Sequence, residues 1–396
     1  MKIAVLGGFG LMAEAALHDL ADNPAVDQIL AADINTERAE FVLKRIKNRK
    51  KIKAVKIDLN GTKDAIRALA GSNCVLNCSW YEFNLKAMEL ALGLKAHYVD
   101  LGGLYHMTLK QLKKGQEFRS ANLLAVLGCG STPGITNMMV ARMAPKFDSI
   151  ETVDIIDASH DPSFSEDSFL PPFSIRTMLD EWEAPAPVLL GGRMQDVPAH
   201  SHPVEEEFKA PLGRVKAGIV IHSETASLPG YLKSKGVKNL SFRIVYPESV
   251  RRQLALISGM GLSGKTPVPV NGSAVSPLSL VSALAVRGAL EASRKPSGPP
   301  NDFEVLRVRV AGKSGGEPTI SAWDCEMTPT KLLSAGAIGV GWTGAIAGVM
   351  AVQGKTLVPN GVGGPESLLE PGAFFRELNA RRTFRFVETI THPLLL

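Results

Sequence analysis

The stretch Lys2 to Leu20 constrains this 396-residue chain more than any other. Lys2 to Leu6 is a short, continuous apolar run of the kind that makes a buried strand. Leu11 to Leu20 carries apolar residues at helical spacing. Between them lies Gly7-Gly8-Phe9-Gly10-Leu11-Met12-Ala13, which fits the pattern G-x-G-x-x-A from Gly8. One glycine permits the tight turn, the next lets a pyrophosphate approach the backbone, and a small Ala13 lets helix pack on strand. The phosphates would rest on the helix N-terminus. A second strand pattern, Gln28 to Ala32, ends in Asp33, twenty residues past Ala13. A carboxylate there accepts hydrogen bonds from the adenosine ribose hydroxyls and repels a 2′-phosphate. The expected cofactor is therefore NAD, with NADP left open by Arg38 and the basic run Lys44 to Lys56. The turn-rich Asp-Ile-Asn-Thr context also suits Asp33 to a helix-capping role.

Strand and helix patterns then alternate. Ile52 to Asp58, Cys74 to Cys78, Ala96 to Leu101 and Leu123 to Leu127 read as strands; Thr62 to Ala70, Asn84 to Leu92 and Leu109 to Ser120 read as helices. Strict rotation implies a doubly wound parallel sheet, an α/β Rossmann fold whose ligands bind beyond the carboxyl ends of the strands. Those ends place Gly8, Phe9, Gly10, Leu11, Met12, Asp33, Asp58, Leu59, Cys78, Ser79, Leu101, Gly102 and Gly103 at the cofactor crevice.

Ser131-Thr132-Pro133-Gly134 opens a further helix. Beyond Ile150 the texture changes to strand-like alternation broken by Pro and Gly, as in Glu151 to Ala158, Leu240 to Tyr246, Gln253 to Gly259 and Phe303 to Val310. This predicts an α+β domain on an antiparallel or mixed sheet. The Gly- and Ala-rich stretch Ala335 to Ala351, bracketed by Lys331 and Lys355, reads as a tightly packed helix rather than a membrane span.

Four cysteines are too few for a disulfide framework, and Cys74 and Cys78 lack the C-x-x-C spacing of zinc or redox sites. A net charge of +5 is modest. Its main local source, Lys44 to Lys56, lies where a helix should end and has no interleaved aromatic platform, so no nucleic-acid partner is expected. With no signal-peptide pattern at the start, the cytoplasm is the expected location.

Beyond the glycine loop, YEFNLKAMELALGLKAHYVDLGG at Tyr81 to Gly103 and GCGSTPGITNMMV at Gly128 to Val140 resemble the saccharopine dehydrogenase family. So do VLLGGRMQDVP at Val188 to Pro198, HSETASLP at His222 to Pro229 and PNGVGGPESLLEPGAFFREL at Pro359 to Leu378. The resemblance spans nearly the whole chain, with its short saccharopine and lysine 6-dehydrogenase members closest in character. It implies hydride transfer between a nicotinamide and an amine-bearing carbon of an amino acid. It also implies an inserted domain: residues 1–128 and 330–396 would form the Rossmann unit, and 129–329 an α+β substrate and dimerisation domain. Family members usually pair as homodimers through the inserted sheet. One departure is Tyr246-Pro247-Glu248, where relatives often carry a Tyr-x-Gly-His-like turn.

Oxidation at an amine carbon needs a hydride acceptor, a base and, for an amino acid, a cation for the carboxylate. Asp100, Tyr81 and His222 are the candidate catalytic residues, with His106 and Glu82 near the same strand ends. Asp100 beside Gly102-Gly103 suits a loop brace equally well, and Tyr81 and His222 have ordinary packing roles as alternatives. Arg176 and Arg243, whose guanidinium forks match a carboxylate, are the candidate substrate-binding residues with Glu224. Asp154, Asp157, His160 and Asp161 superficially resemble a metal cluster, but Asp154 and Asp157 fall on opposite faces of a strand and no zinc spacing appears, so no metal is expected. Two other functions share these features: an NADPH-dependent imine reductase of polyamine-type synthesis, and a nucleotide-binding sensor or scaffold without turnover.

Overall fold

The computed structural model describes residues 1–163, 171–293 and 298–392. Rotation of strand and helix begins with β1 (Lys2–Leu6), α1 (Leu11–Asp22), β2 (Gln28–Asp33), α2 (Ala39–Arg45), β3 (Ile52–Lys56), α3 (Thr62–Ala68), β4 (Cys74–Asn77), α4 (Asn84–Leu94) and β5 (His97–Asp100). The predicted helix at Leu109 to Ser120 is two helices, α5 (Leu104–Leu112) and α6 (Gly115–Ser120), followed by β6 (Leu124–Val126) and α7 (Ile135–Met143). The break falls at Lys113-Lys114-Gly115, where glycine lowers helix stability.

The second half contains β7 (Ser149–His160), α8 (Ile175–Glu183), β8 (Ala186–Leu190), β9 (Arg193–Val197), β10 (Val204–Glu207), β11 (Arg214–Ile219), α9 (Glu224–Tyr231) and β12 (Asn239–Val245). Next come α10 (Glu248–Gly259), the hairpin β13 (Val268–Val270) and β14 (Ser273–Val275), α11 (Pro277–Ser293), β15 (Phe303–Ser314) and β16 (Glu317–Met327). The return comprises α12 (Ala335–Gln353), β17 (Gly361–Gly363), α13 (Pro365–Leu368), α14 (Pro371–Ala380) and β18 (Phe384–Thr391).

The first sheet has seven strands in the order β17-β6-β5-β4-β1-β2-β3, all parallel. The chain reverses direction across this sheet between β1 and β4, which puts the ligand crevice above those two strands. The second sheet has nine strands, running β10-β11-β12-β7-β15-β16-β18, with β8 paired to β12 off that path and β9 paired to β8. It is mixed: β12 is parallel to β7, whereas β15 is antiparallel to it.

Two sequence expectations are corrected here. Gln253 to Gly259, expected as a strand, lies inside α10, where Val250 and Leu254 bury one face at the four-residue spacing of a helix. The unit 330–396 does not return to the Rossmann sheet as a block: α12 and β17 do, but β18 crosses to the second sheet and pairs with β16 from Ile320↔Thr391 to Met327↔Phe384.

One core spans both sheets. Val153 and Ile155 of β7 share it with Val5, Leu17, Met138 and Ile346, whereas Ile156 and Ala158 line a small outer cluster with Phe208 and Val305. The alternation of a strand thus sends neighbouring β7 residues to opposite faces. α12 is long and apolar enough to cross a membrane, but most of it is buried within the protein. Its glycines explain the close packing: a Cβ on Gly341 would lie 2.4 Å from the Met12 carbonyl oxygen, and one on Gly344 2.7 Å from Leu101 Cδ2. α8, α10 and α11 form a cap with its own core of Ile175, Met178, Leu179, Val250, Leu254 and Leu278.

Candidate active site

The cofactor crevice is built by the turn after β1. Gly7 has φ of +65°, and a Cβ on Gly8 would lie 2.9 Å from the Ala31 carbonyl carbon and the Ala32 nitrogen. Only glycine lets the loop sink onto β2, leaving backbone N–H groups at the head of α1 to receive phosphate oxygens. Asp33 ends β2 half-buried; its Oδ2 accepts the Phe9 N–H at 3.3 Å and its Oδ1 the Asn35 N–H at 3.0 Å. The same carboxylate therefore closes the loop and stands at the ribose position. Arg38 is engaged elsewhere, donating to the Phe9 carbonyl at 2.8 Å and pairing with Glu14 at 3.5 Å. Cys78 and Ser79 at the end of β4 are half-buried, and Ser79 Oγ donates to Asn77 Oδ1 at 2.6 Å. Asp58 is exposed and caps its own turn by accepting the Asn60 N–H, with Leu59 half-buried beside it. Leu11 is 42% exposed over the crevice mouth; Leu101, Gly102 and Gly103 follow β5. These residues fit a nicotinamide dinucleotide.

Asp100 is placed differently from a base facing the crevice. It is 1% exposed and accepts from Gln111 Nε2 at 2.6 Å, Gly128 N at 2.7 Å, Tyr98 Oη at 3.0 Å, Gly102 N at 3.1 Å and Asn84 Nδ2 at 3.3 Å. Five donors occupy its lone pairs. Asp100 ties the turns after β5 and β6 together, which is the bracing role its glycine neighbours allowed.

The candidate reacting end lies where those turns meet the second sheet. Gly134 has φ of +133° and its Cβ would meet the Gly130 oxygen at 2.1 Å, so Ser131-Thr132-Pro133 must loop tightly out of β6. Thr132 Oγ1 donates to Asp157 Oδ2 at 3.1 Å. The Gly103 N–H donates to Ser223 Oγ at 3.2 Å, seating the loop before α9 against the Rossmann unit. His222 on that loop stacks on Phe242, ring centroids 3.8 Å apart at 14°, and its Nδ1 bonds Glu224 Oε2. Glu224 is fully buried and also accepts from Thr136 Oγ1 at 3.0 Å.

Three carboxylates surround this histidine. Burial disfavours the imidazolium, but Glu224, Glu181 and Asp157 outweigh it and push the His222 pKa up. Burial pushes Asp157 up to about 6, against the Thr132 hydrogen bond and His222. Burial likewise pushes Glu181 up to about 7, against His222 and the Tyr246 hydroxyl, which donates to its Oε2 at 2.7 Å. Glu304, buried on β15, is raised well above its usual range by burial, with Asp157 and Asp302 adding to it. Sites whose environments push proton affinities toward neutrality suit acid–base chemistry.

Of the other sequence candidates, Arg176 lies at the cap, its guanidinium carbon 4.4 Å from the Trp80 ring centroid and its Nε donating to Ser282 Oγ at 2.8 Å. Tyr81 Oη donates to Asp180 Oδ2 at 2.6 Å, and burial together with that carboxylate holds the phenol proton on, so Tyr81 joins the Rossmann unit to the cap instead of serving as a base. Glu82 reaches Lys265 at 3.2 Å in the same seam, while His106 is exposed on α5. Arg243 is corrected: it pairs with Asp154 at 2.6 Å on the sheet face opposite Phe242 and His222, away from the reacting end.

Glu181, Tyr246 and Asp157 were not singled out as acid–base residues from the sequence. One signal was present: Glu181 falls three residues after Met178, on the apolar face of an amphipathic helix, and is 3% exposed.

Residues 3–126 match the saccharopine dehydrogenase NADP binding domain family. Carboxynorspermidine synthase of Vibrio cholerae is 22% identical over 312 residues, 72% of either chain. Carboxyaminopropylagmatine dehydrogenase of Synechocystis is 22% identical over 296 residues, again 72% of each. The solved structure of apo saccharopine dehydrogenase (L-Glu forming) from Saccharomyces cerevisiae shares the fold, with a TM-score of 0.73 and 14% identity over 98% of this chain and 99% of that one. The first domain thus matches the NADP binding domain model of the saccharopine dehydrogenases, and the chain as a whole shares the fold of the yeast enzyme.

Proposed function

We propose that this protein is an NAD(P)-dependent oxidoreductase that reduces the imine formed between an aliphatic amine and a carboxylated aldehyde, yielding an N-substituted amino acid. The carrying observation is the buried His222–Glu224 pair, whose histidine acts electrostatically on the buried carboxylates of Asp157 and Glu181. Buried carboxylates in excess favour a substrate that arrives as an ammonium. The bound dinucleotide supplies the hydride. His222, oriented by Glu224 and Phe242, exchanges a proton with the amine nitrogen, and Arg176 pairs with the substrate carboxylate. Asp33, with Arg38 already engaged, favours NAD over NADP.

The printed names of the two bacterial relatives, a carboxynorspermidine synthase and a carboxyaminopropylagmatine dehydrogenase, support a polyamine-type amine. Direct oxidation of lysine or saccharopine is the second reading, supported by the overall likeness to the yeast enzyme fold. The test is to incubate the protein with reduced dinucleotide, a panel of diamines and a carboxylated aldehyde, and in parallel with oxidised dinucleotide and lysine or saccharopine, following the absorbance of the reduced cofactor. Turnover only in the second set replaces the first reading with the second; turnover in neither set leaves a nucleotide-binding sensor. The protein is further expected to act in the cytoplasm as a homodimer joined through the inserted sheet, a stoichiometry that sedimentation velocity measures directly.

A further inference from the structure

We infer that Glu181, held by the Tyr246 hydroxyl, donates the proton that expels water from the carbinolamine preceding the imine. The inference rests on the proposed imine-reducing function. Condensing an ammonium with an aldehyde moves protons in two places: nitrogen must lose one before it attacks, and the carbinolamine hydroxyl must gain one before it leaves. His222, paired with Glu224, sits in an environment that favours its charged form. Glu181 is near enough to act electrostatically on the same histidine. It projects from α8 of the cap, is 3% exposed, and has Tyr246 as its hydrogen-bond partner. The groups acting on it are His222 from the loop before α9, Tyr246 after β12, Asp157 on β7 and Asp180 on its own helix.

A buried carboxyl hydrogen-bonded to a neutral hydroxyl and raised to about 7 keeps a proton that it can donate near neutral pH. In the step, the Glu181 proton passes to the carbinolamine oxygen and the C–O bond breaks to release water. The nitrogen lone pair closes the C=N bond of the iminium, and the carboxylate recovers a proton from the next ammonium that enters. Tyr246 is a positioning residue: its O–H bond aims the carboxyl and lowers its proton affinity. Trp182 and His200 hold the Tyr246 ring, at centroid distances of 6.5 and 6.1 Å.

The experiment records kcat/KM for amine plus aldehyde against pH in the parent, Glu181→Gln and Tyr246→Phe proteins, with dinucleotide affinity from fluorescence as a control. Glu181→Gln should lower kcat about 100-fold and abolish the alkaline limb while binding the dinucleotide normally. Tyr246→Phe should move that limb to higher pH, because the hydrogen bond that favours the ionised carboxyl is gone. An active parent whose limb survives in Glu181→Gln overturns this inference alone. If Glu181→Gln does not fold, an unmoved limb in Tyr246→Phe overturns it. A parent inactive toward every amine–aldehyde pair overturns it together with the functional reading.

Discussion

Thr132 Oγ1 donates to Asp157 Oδ2 across 3.1 Å, joining the turn that ends the Rossmann crossover to the second strand system. Asp157 thereby faces the Rossmann unit, as do its β7 neighbours Val153 and Ile155, which are packed in the core shared by both sheets. The Gly103–Ser223 hydrogen bond makes a second such joint. Between these two joints stands His222, so the acid–base cluster, built by residues of the second unit, is braced against the Rossmann unit at both sides.

Asp33→Ala tests the nucleotide side. It removes an acceptor for the ribose hydroxyls and the bond that closes Phe9 onto β2. NAD affinity should fall about tenfold, corresponding to about 1.4 kcal/mol, while NADP affinity falls less because a repelling charge leaves with the carboxylate. Fluorescence titration with both reduced dinucleotides measures the ratio; equal losses would place Asp33 in loop closure only.

Gly341→Ala tests the seam between α12 and α1. An added methyl would lie 2.4 Å from the Met12 oxygen and 2.7 Å from Ala15 Cβ, so α12 must shift outward. Overpacking of this kind costs about 1–3 kcal/mol. Thermal melting should register the loss, and because α1 carries the phosphate-binding turn, added dinucleotide should recover part of it.

The nucleotide half of the site was legible in the sequence because it is local: a strand, a glycine turn, a helix and one carboxylate lie within a single βαβ unit. The candidate reacting half was not, because Asp157, Glu181, His222 and Tyr246 come from four separate elements that only the long-range folding of the second unit brings together. Arg243 shows how narrow the margin is. It adjoins Phe242, which stacks on His222, but one residue of strand register turns it to the opposite face and into its pair with Asp154. Parity with Ile155 and Asp154 on β7 carries the same information, but only once the pairing of β12 with β7 is known. β18 was hidden for a related reason, since an edge strand joined to a distant partner leaves no local signature.

Stability should depend on pH through the same cluster. Glu181 is raised from 4.5 to about 7 in the folded protein, so the stability linked to its neutral form is complete below pH 4.5 and is lost as pH rises through 7. That shift corresponds to about 3 kcal/mol. His222, also raised, loses its contribution in the same upward direction, whereas His200, lowered to about 4, gains stability between pH 4 and 6.5 as its unfolded form gives up a proton. The difference between parent and Glu181→Gln isolates the carboxyl. Denaturant melts at pH 5 and pH 8 should show the parent losing more stability than the variant, and parallel curves would remove Glu181 from the balance.

In the proposed function Arg176 pairs with the substrate carboxylate. Its Nε donates to Ser282 and its plane rests near Trp80, which fixes the guanidinium between the cap and the Rossmann loop after β4. A planar fork held in this way pairs bidentately with a carboxylate, a geometry that a lysine ammonium lacks. Arg176→Lys should therefore raise KM for the carboxylated aldehyde by about tenfold and leave KM for the amine nearly unchanged, since a lost charged hydrogen bond is worth about 1.5–3 kcal/mol. An aldehyde lacking the carboxylate should react with parent and variant alike. If the variant instead raises both KM values together, Arg176 serves to hold the cap on Trp80 and the carboxylate is bound elsewhere.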